Sequence, residues 1–171
     1  AGDVFTNDIQ QYLRQQHNIR VGQITAEKIK IAIGAVIPDL DEGEPEPCAI
    51  TGPNIMTAHP VHANITYQEI AHCLDKSVAR IESGILHVLE QTPPELYSDI
   101  CNEGILLTGG GAKLYGIDKE LSSRLGIKVT CAADSENCAA KGAGYILKNM
   151  KKLEDNGYSF RSRENLLMYV E

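Results

Sequence analysis

Three consecutive glycines are the residues best placed to bind a ligand in this sequence. They follow an apolar run of strand character, and the segment Ile105–Ala112 reads ILLTGGGA. Glycine has no side chain, so another molecule can approach its backbone closely. A strand that ends in such a loop commonly holds a nucleotide at the carboxyl edge of a sheet. The pattern predicts that Gly109, Gly110 and Gly111 lie against an adenine or its α-phosphate and donate amide hydrogens. A simple tight turn is the alternative.

A carboxylate and an ammonium group form a second candidate site. Glu27 and Lys30 are three positions apart in a segment with helical spacing, so they share one face of a helix. The first interpretation is a solvated ion pair, which stabilises a helix by a few tenths of a kcal/mol. In the second, the carboxylate accepts hydrogen bonds from ribose hydroxyls and the ammonium lies beside the base.

The sequence gives little support for other nucleotide-binding motifs, for a metal site or for a catalytic triad. The glycine run lacks the Lys-Ser/Thr of a P-loop and the spacing of a dinucleotide fingerprint. His59 and His62 have no further ligands nearby, so we expect no metal site. The five cysteines include no C-x-x-C pair, which disfavours zinc and favours a reduced compartment. We recognise no catalytic triad and assign no catalytic residue.

The composition is that of an ordinary globular protein. The chain has 171 residues, 43% of them hydrophobic, and a net charge of -7. This acidic balance argues against nucleic acid as a partner, which would require a basic patch. No apolar run approaches the roughly 18 residues that span a bilayer. The opening Ala1-Gly2-Asp3 is typical of the end of a loop, so we expect the chain to be a fragment of a longer protein.

The elements that must position these residues follow from apolar spacing and turn residues. In the first half we predict a helix over 3–17 that is capped by Asp3 or Thr6, and a second helix from Thr25 to Pro38. An acidic loop over 39–47 follows, and then an antiparallel pair of strands over 48–52 and 62–65. In the second half we predict a long helix after the capping box Thr66–Glu69, then a short turn over 95–100 and the strand before the glycines. After the glycines we predict a helix from Gly116 to Leu125, a strand over 127–130 and a helix over 137–150. The order strand, loop, helix, strand, helix indicates a parallel α/β unit.

Two of the helices have predicted buried faces. For the first helix these are Val4, Ile9, Tyr12 and Leu13, and for the second Ile29, Ile31, Ile33 and Val36. We expect Gly126 to end the helix that begins at Gly116, because glycine adopts the left-handed conformation of a helix C-terminus.

Five segments occur in an order and at a spacing typical of one protein family. They are Ala1–Phe5, Thr25–Gly34, Gln91–Ile100, Gly104–Ala112 and Asp134–Gly142. Together they resemble the MreB family, the bacterial actin homologues that determine rod shape. The first resembles the segment Gly-Gly-Asp-x-Phe-Asp of that family and the last its Asp-Pro-x-x-Cys-Val-Ala-x-Gly. The resemblance extends from residue 1 to about residue 150.

The resemblance implies an α/β fold, the second domain of an actin-like (ribonuclease H-like) ATPase. In it, a smaller α+β subdomain is inserted into a larger α/β subdomain. The expected division is 1–22 in the larger subdomain, 23–65 in the smaller one, 66–90 as a connecting helix, 91–150 in the larger subdomain with the adenosine loop, and 151–171 as a polar tail. The phosphate-binding hairpins and hydrolytic residues of the family lie upstream of the region that this chain resembles.

The resemblance also implies a set of nucleotide-binding residues. Glu27, Lys28 and Lys30 match the helix that meets ribose and adenine, and Gly109, Gly110, Gly111 and Ala112 match the adenosine loop. Lys113 and Ser135 depart from the family pattern, since an apolar residue and a proline are usual there. The ligand would be ATP or ADP with Mg²⁺ in the intact protein, and we expect no hydrolysis by this chain alone.

The implied biology is that of a cytoskeletal filament. The partners would be further copies of the protein, its first domain and membrane-associated cell-shape proteins. The location would be the cytoplasm, at the inner face of the membrane when polymerised. Two alternatives stay open at this point: a fragment of another actin-superfamily ATPase (a plasmid-segregation filament, a chaperone or a sugar kinase), and a non-catalytic interaction module.

Overall fold

The computed structural model describes residues 2–40 and 43–160. The helices of this part are α1 (Gly2–Gln16), α2 (Gln23–Ile33), α3 (Tyr67–Glu90), α4 (Pro94–Glu103), α5 (Ile117–Leu125) and α6 (Cys138–Asp155). The strands are β1 (Cys48–Pro53), β2 (Pro60–Ile65), β3 (Ile105–Leu107) and β4 (Val129–Cys131). Short 3₁₀ helices cover Gly110–Lys113 and Ser135–Asn137. The chain divides into two compact units, Ala1–Ser135 and Glu136–Glu171.

The buried face of α1 includes the predicted Ile9 and Leu13, and Tyr12 is half-buried against the core, but the prediction of Val4 is wrong. Phe5, Ile9 and Leu13 are buried at the helical spacing, whereas Val4 is exposed. The predicted caps are wrong, because the helix already begins at Gly2. Thr6 therefore lies within the first turns of the helix, on its buried side.

Helix α2 begins and ends earlier than predicted. Its N-cap is Gly22, which has extended backbone angles, and not Thr25. Ala26, Ile29 and Ile33 are buried, but Ile31 is exposed, so its prediction as a core residue is wrong. The helix ends at Gly34, before Pro38 is reached.

Two predicted features of the following segment are confirmed. Strands β1 and β2 pair antiparallel, in register from Cys48 opposite Ile65 to Pro53 opposite Pro60. Helix α3 begins with the predicted capping box. The Thr66 hydroxyl accepts from the Glu69 amide at 3.3 Å, and the Glu69 carboxylate accepts from the Thr66 amide at 2.9 Å.

The predicted parallel unit is also confirmed. Strand β3 pairs parallel with β4, in register from Ile105 opposite Val129 to Leu107 opposite Cys131. Between them lie the glycine run and α5, which ends at the left-handed Gly126 (φ 66°) as predicted. The turn predicted over 95–100 is wrong, because helix α4 covers this segment with Pro94 in its first turn. Proline is favoured there since the first amide of a helix has no partner within it.

The core of the first unit joins four helices. Helix α1 packs against α2 and α3, and α3 also contacts α5. The largest fully buried side chains are Phe5, Ile9, Leu13, Ile19, Ile29, Ile33, Ile65, Ile70, Leu74, Val78 and Leu121, with Thr6 among them. A threonine in this set requires polar partners, because an unpaired buried hydroxyl is costly.

The second unit is described over residues 136–160, most of them in α6. This helix departs from helical angles at Asn149 (φ -119°, ψ 16°), where the side-chain amide donates to the Tyr145 carbonyl at 2.8 Å. It runs beyond the predicted end at Met150 to Asp155. The predicted polar tail thus begins inside a helix, and its last residues, 161–171, lie outside the described residues. The division into larger and smaller subdomains stays a prediction.

Candidate functional site

Glu27 and Lys30 lie on one face of α2, as their spacing predicts. Lys30 Nζ is 2.7 Å from Glu27 Oε2. The Lys30 side chain is only 12% exposed, whereas that of Glu27 is 43% exposed. A solvated surface pair would leave the ammonium in water, so the first interpretation of this pair does not describe it.

The N-terminal turn of α1 supplies the other partners of this pair. Thr6, which is 1% exposed, places its hydroxyl 2.5 Å from Glu27 Oε2 and 3.1 Å from the Gly2 carbonyl. Lys30 Nζ donates to Thr6 Oγ1 at 3.1 Å and to the Gly2 carbonyl at 3.0 Å. We call these four residues, Gly2, Thr6, Glu27 and Lys30, the Glu27 network.

The network keeps the carboxylate charged. The hydrogen bond from Lys30, and next the one from Thr6, lower the pKa of Glu27 below its ordinary value, although burial opposes them. The group is therefore an anion at neutral pH, and an ionised carboxylate only accepts hydrogen bonds. All its hydrogen bonds to described residues use Oε2, which leaves Oε1 available to a ligand with hydroxyl donors.

Lys28 does not join the network. Its side chain is exposed, on the part of α2 that also carries the exposed Ile24 and Ile31. Of the three charged residues predicted on this helix, the structure thus brings two together and leaves Lys28 apart.

The glycine run forms a tight loop that uses part of its own backbone. Gly109 has a φ of 87° and donates its amide to the Ser135 carbonyl at 2.7 Å. Ala112 is buried and donates to the Gly109 carbonyl at 3.2 Å. Gly110 and Gly111 open the 3₁₀ helix, where the first amides have no partner within the helix. Of the predicted amide donors, these two are the ones in a position to face a ligand.

A backbone bridge connects the end of α2 to the segment after the glycines. Val36 donates its amide to the Tyr115 carbonyl at 3.0 Å, and Tyr115 donates to the Gly34 carbonyl at 2.8 Å. An added Cβ at Gly34 would lie 2.6 Å from Leu114 Cδ2, so the two segments pack closely. This contact sets the position of α2 relative to the loop.

Helix α1 also contacts both candidate sites. Phe5 is buried, and its Cε2 would lie 4.0 Å from a Cβ added at Gly111. The next residue, Thr6, belongs to the Glu27 network. The first turns of α1 therefore lie against both the loop and the charged face of α2.

Sequence reasoning missed the part played by Thr6 and Gly2. One signal was present, because Thr6 falls on the same helical stripe as Ile9 and Leu13. A polar residue on an apolar stripe indicates a buried partner, yet its partner Glu27 is 21 positions away. The pattern of α1 alone does not identify it.

The arrangement fits the adenosine part of a nucleotide better than its phosphates. An anionic oxygen suits ribose hydroxyls, and a glycine loop permits close approach of a flat base. Across the described part of the chain, no three His, Cys, Asp or Glu side chains come together to hold a metal ion. In residues 2–40 and 43–160 there is also no helix long and apolar enough to cross a bilayer.

Comparison with solved structures defines the class of protein. The crystal structure of MreB5 of Spiroplasma citri bound to AMPPNP matches with a TM-score of 0.85 and 36% identity, over 92% of this chain and 46% of that one. The MamK double helical filament matches with a TM-score of 0.69 and 19% identity, over 86% of this chain and 44% of that one. The fold is thus an actin-like α/β fold.

Comparison with protein families is more specific. The model of the MreB/Mbl protein family matches residues 1–155. The cell shape-determining protein Mbl of Bacillus subtilis (strain 168) is 38% identical over 153 residues, which are 90% of this chain and 45% of that protein. The chain belongs to the MreB/Mbl family. It spans about half the length of the curated relatives it matches.

Proposed function

We propose that this chain is the adenosine-binding half of an actin-like cytoskeletal ATPase that forms ATP-dependent filaments governing rod cell shape. The observation that carries the proposal is the Glu27 carboxylate, held through Oε2 by Lys30 and Thr6. It lies on a helix whose C-terminal end is bridged to the segment after the glycine loop. That combination suits a nucleoside, and the MreB5 relative was solved with a nucleotide analogue.

Each part of the site has a role in this proposal. Glu27 Oε1 accepts hydrogen bonds from the ribose hydroxyls. The backbone of Gly109, Gly110, Gly111 and Ala112 forms the surface on which the adenine and the α-phosphate lie. Lys28 is exposed on α2, and the family resemblance, not the Glu27 network, is what supports it as a nucleotide-binding residue.

The triphosphate and Mg²⁺ need ligands beyond those that the proposal assigns to Glu27 and the glycine loop. Mg²⁺ is bound by one or two carboxylates with phosphate oxygens and waters, and phosphoryl transfer depends on cations and a positioned nucleophile. We propose that the part of the family's length that this chain does not span supplies them. Hydrolysis then belongs to the intact protein, and this chain alone does not catalyse it.

The same proposal covers partners and location. Nucleotide would bridge this domain and the first domain of the protein, and the intact protein would assemble with further copies of itself. The match to a filament structure supports this at the level of the fold. The filament would lie in the cytoplasm at the inner face of the membrane, with membrane-associated cell-shape proteins. Nucleic acid is no partner of a chain with a net charge of -7.

The test is a calorimetric titration with ATP and Mg²⁺ of this chain and of the intact protein. We expect clear binding to the intact protein and weak or absent binding to the chain. Sedimentation with ATP should then pellet the intact protein as filaments. Tight binding and turnover by the chain alone would contradict the division of the site.

A further inference from the structure

We infer that Thr6 and Lys30 are positioning residues for the carboxylate of Glu27, and that Lys30 does not contact the base. The inference rests on the proposed function, because it explains how the same site recognises the ribose hydroxyls of a nucleotide. The family resemblance implies that Lys30 lies beside the adenine. The inference gives Lys30 a different role, in which it holds Glu27.

The hydrogen bonds of Lys30 are all made within the protein. An ammonium group has three hydrogens to donate and no acceptor. Lys30 Nζ has three acceptors within reach, at 2.7 Å on Glu27, 3.0 Å on Gly2 and 3.1 Å on Thr6. Every hydrogen is therefore used within the protein, and the side chain is 12% exposed. A contact with adenine would require one of these bonds to break.

The hydroxyl of Thr6 donates its hydrogen to Glu27. It has a single hydrogen and two acceptor positions. Glu27 Oε2 is at 2.5 Å and the Gly2 carbonyl is at 3.1 Å, and a charged acceptor forms the shorter and stronger bond. Thr6 thus donates to Glu27 and accepts from Lys30.

Both bonds therefore hold the same oxygen of Glu27. The last torsion of a glutamate is broad when nothing restrains it. With Oε2 held by Thr6 and Lys30, the carboxylate plane is set and Oε1 keeps one direction. A group that is ordered before binding loses less entropy when the ligand arrives. Thr6 thus strengthens the recognition of ribose hydroxyls without contacting the nucleotide.

The experiment compares two nucleotides on the intact protein. ATP carries the ribose hydroxyls and 2′,3′-dideoxy-ATP lacks them, and the dissociation constant of each is measured with Mg²⁺. For wild type we expect tighter binding of ATP. For Thr6→Val, which keeps the shape of the side chain but removes the hydroxyl, we expect ATP to bind about fivefold more weakly, the change of one hydrogen bond. The affinity for the dideoxy nucleotide should be unchanged, and Thr6→Ser should restore the preference for ATP.

Lys30→Met tests the second part of the inference and does not depend on the folding of the Thr6 variants. We expect it to reduce the preference for ATP over the dideoxy nucleotide and to leave the preference for ATP over GTP unchanged. A loss of the preference over GTP would show contact with the base and overturn this part. Equal weakening of ATP and the dideoxy nucleotide by Thr6→Val would indicate a merely structural residue and overturn the first part.

Glu27→Gln distinguishes failure of the positioning role of Thr6 and Lys30 from failure of the ribose-binding role of Glu27. If it abolishes the preference for the ribose hydroxyls while Thr6→Val keeps it, the site stands and only the positioning role fails. If wild type shows no preference, or if Glu27→Gln keeps it, Glu27 does not bind ribose. The proposed role of Glu27 then falls together with the inference.

Discussion

Ala35 and Tyr115 form a parallel backbone bridge between the end of α2 and the segment that follows the glycine loop. Two hydrogen bonds make the bridge, from Val36 to Tyr115 at 3.0 Å and from Tyr115 to Gly34 at 2.8 Å. It fixes the separation of the helix that carries Glu27 from the loop that carries Gly109–Ala112. The candidate site therefore depends on a contact that includes none of its own side chains.

Gly34→Ala should loosen this bridge. An added Cβ would lie 2.2 Å from the Lys30 carbonyl and 2.6 Å from Leu114 Cδ2. Since the first of these is backbone, the chain must shift, and overpacking of this kind costs about 1–3 kcal/mol. We expect a lower urea midpoint and weaker ATP binding in the intact protein.

The matched control for Gly34→Ala is Gly84→Ala. Gly84 lies within α3, and an added Cβ meets nothing within 4 Å. Alanine is favoured over glycine in a helix by about 0.8–1 kcal/mol, so this variant should be slightly more stable. Equal effects of the two substitutions would contradict the packing argument.

Gly109→Ala should weaken nucleotide binding through backbone strain. Gly109 has φ 87° and ψ 172°, a region that is essentially restricted to glycine and costs other residues about 1–3 kcal/mol. Nothing lies within 4 Å of an added Cβ, so strain and not collision is the cause. ATP affinity of the intact protein should fall, while Gly142→Ala in α6, where an added Cβ also meets nothing within 4 Å, should bind as wild type does.

Glu69→Gln should alter the dependence of stability on pH. Burial raises the pKa of Glu69, but hydrogen bonds from Thr66 and His17 outweigh it and lower the pKa below its ordinary value. A carboxylate of this kind stabilises the fold above its unfolded pKa of about 4.3, and the stabilisation is lost as pH falls through the folded pKa. The variant should be less stable than wild type at pH 7, and the difference should shrink below about pH 4.

The measurement for Glu69→Gln is the free energy of unfolding between pH 3 and pH 7. Glu90→Gln is the control, because Glu90 is an exposed residue at the end of the same helix. It should follow the wild-type curve. A difference between wild type and Glu69→Gln that stays constant down to pH 3 would contradict the assignment.

The cysteines should react with alkylating reagents at different rates. Burial, and next the negative charge of Asp8, raise the pKa of the Cys73 thiol from 9.0 to about 12. At pH 8 its thiolate fraction is then about a thousandfold lower than that of an ordinary cysteine. Cys101 is exposed, so iodoacetamide should label Cys101 well before Cys73, as mass spectrometry of tryptic peptides can show. In guanidinium chloride both should react alike, and fast labelling of folded Cys73 would contradict its burial.

Features that depend on neighbours in sequence were predictable. The capping box of Thr66 and Glu69 uses two residues three positions apart, and the structure forms both of its bonds. The parallel unit was also predictable, because an apolar run, a glycine loop and a helix follow one another. Helix α4 was missed because Pro93 and Pro94 suggest an end, although Pro94 stands in the first turn of a helix, where proline is favoured.

Contacts between distant segments were not predictable. The spacing of Glu27 and Lys30 indicates a shared face, but it does not show that Lys30 points inward to Thr6 and Gly2. The close approach of Gly34 to Leu114 depends on where two elements meet in space. For the same reason the apolar spacing wrongly predicts a buried Ile31, since periodicity alone does not define which side of a short apolar helix is covered.

The most direct test of the account is the affinity of the intact protein for ATP with Mg²⁺ before and after Glu27→Gln. A hydrogen bond to a charged group contributes about 1.5–3 kcal/mol, so the account predicts roughly tenfold to hundredfold weaker binding of the variant. Glu90→Gln, with an unchanged affinity, is the control. Equal affinity of wild type and Glu27→Gln would contradict the claim that this chain holds the ribose of the nucleotide.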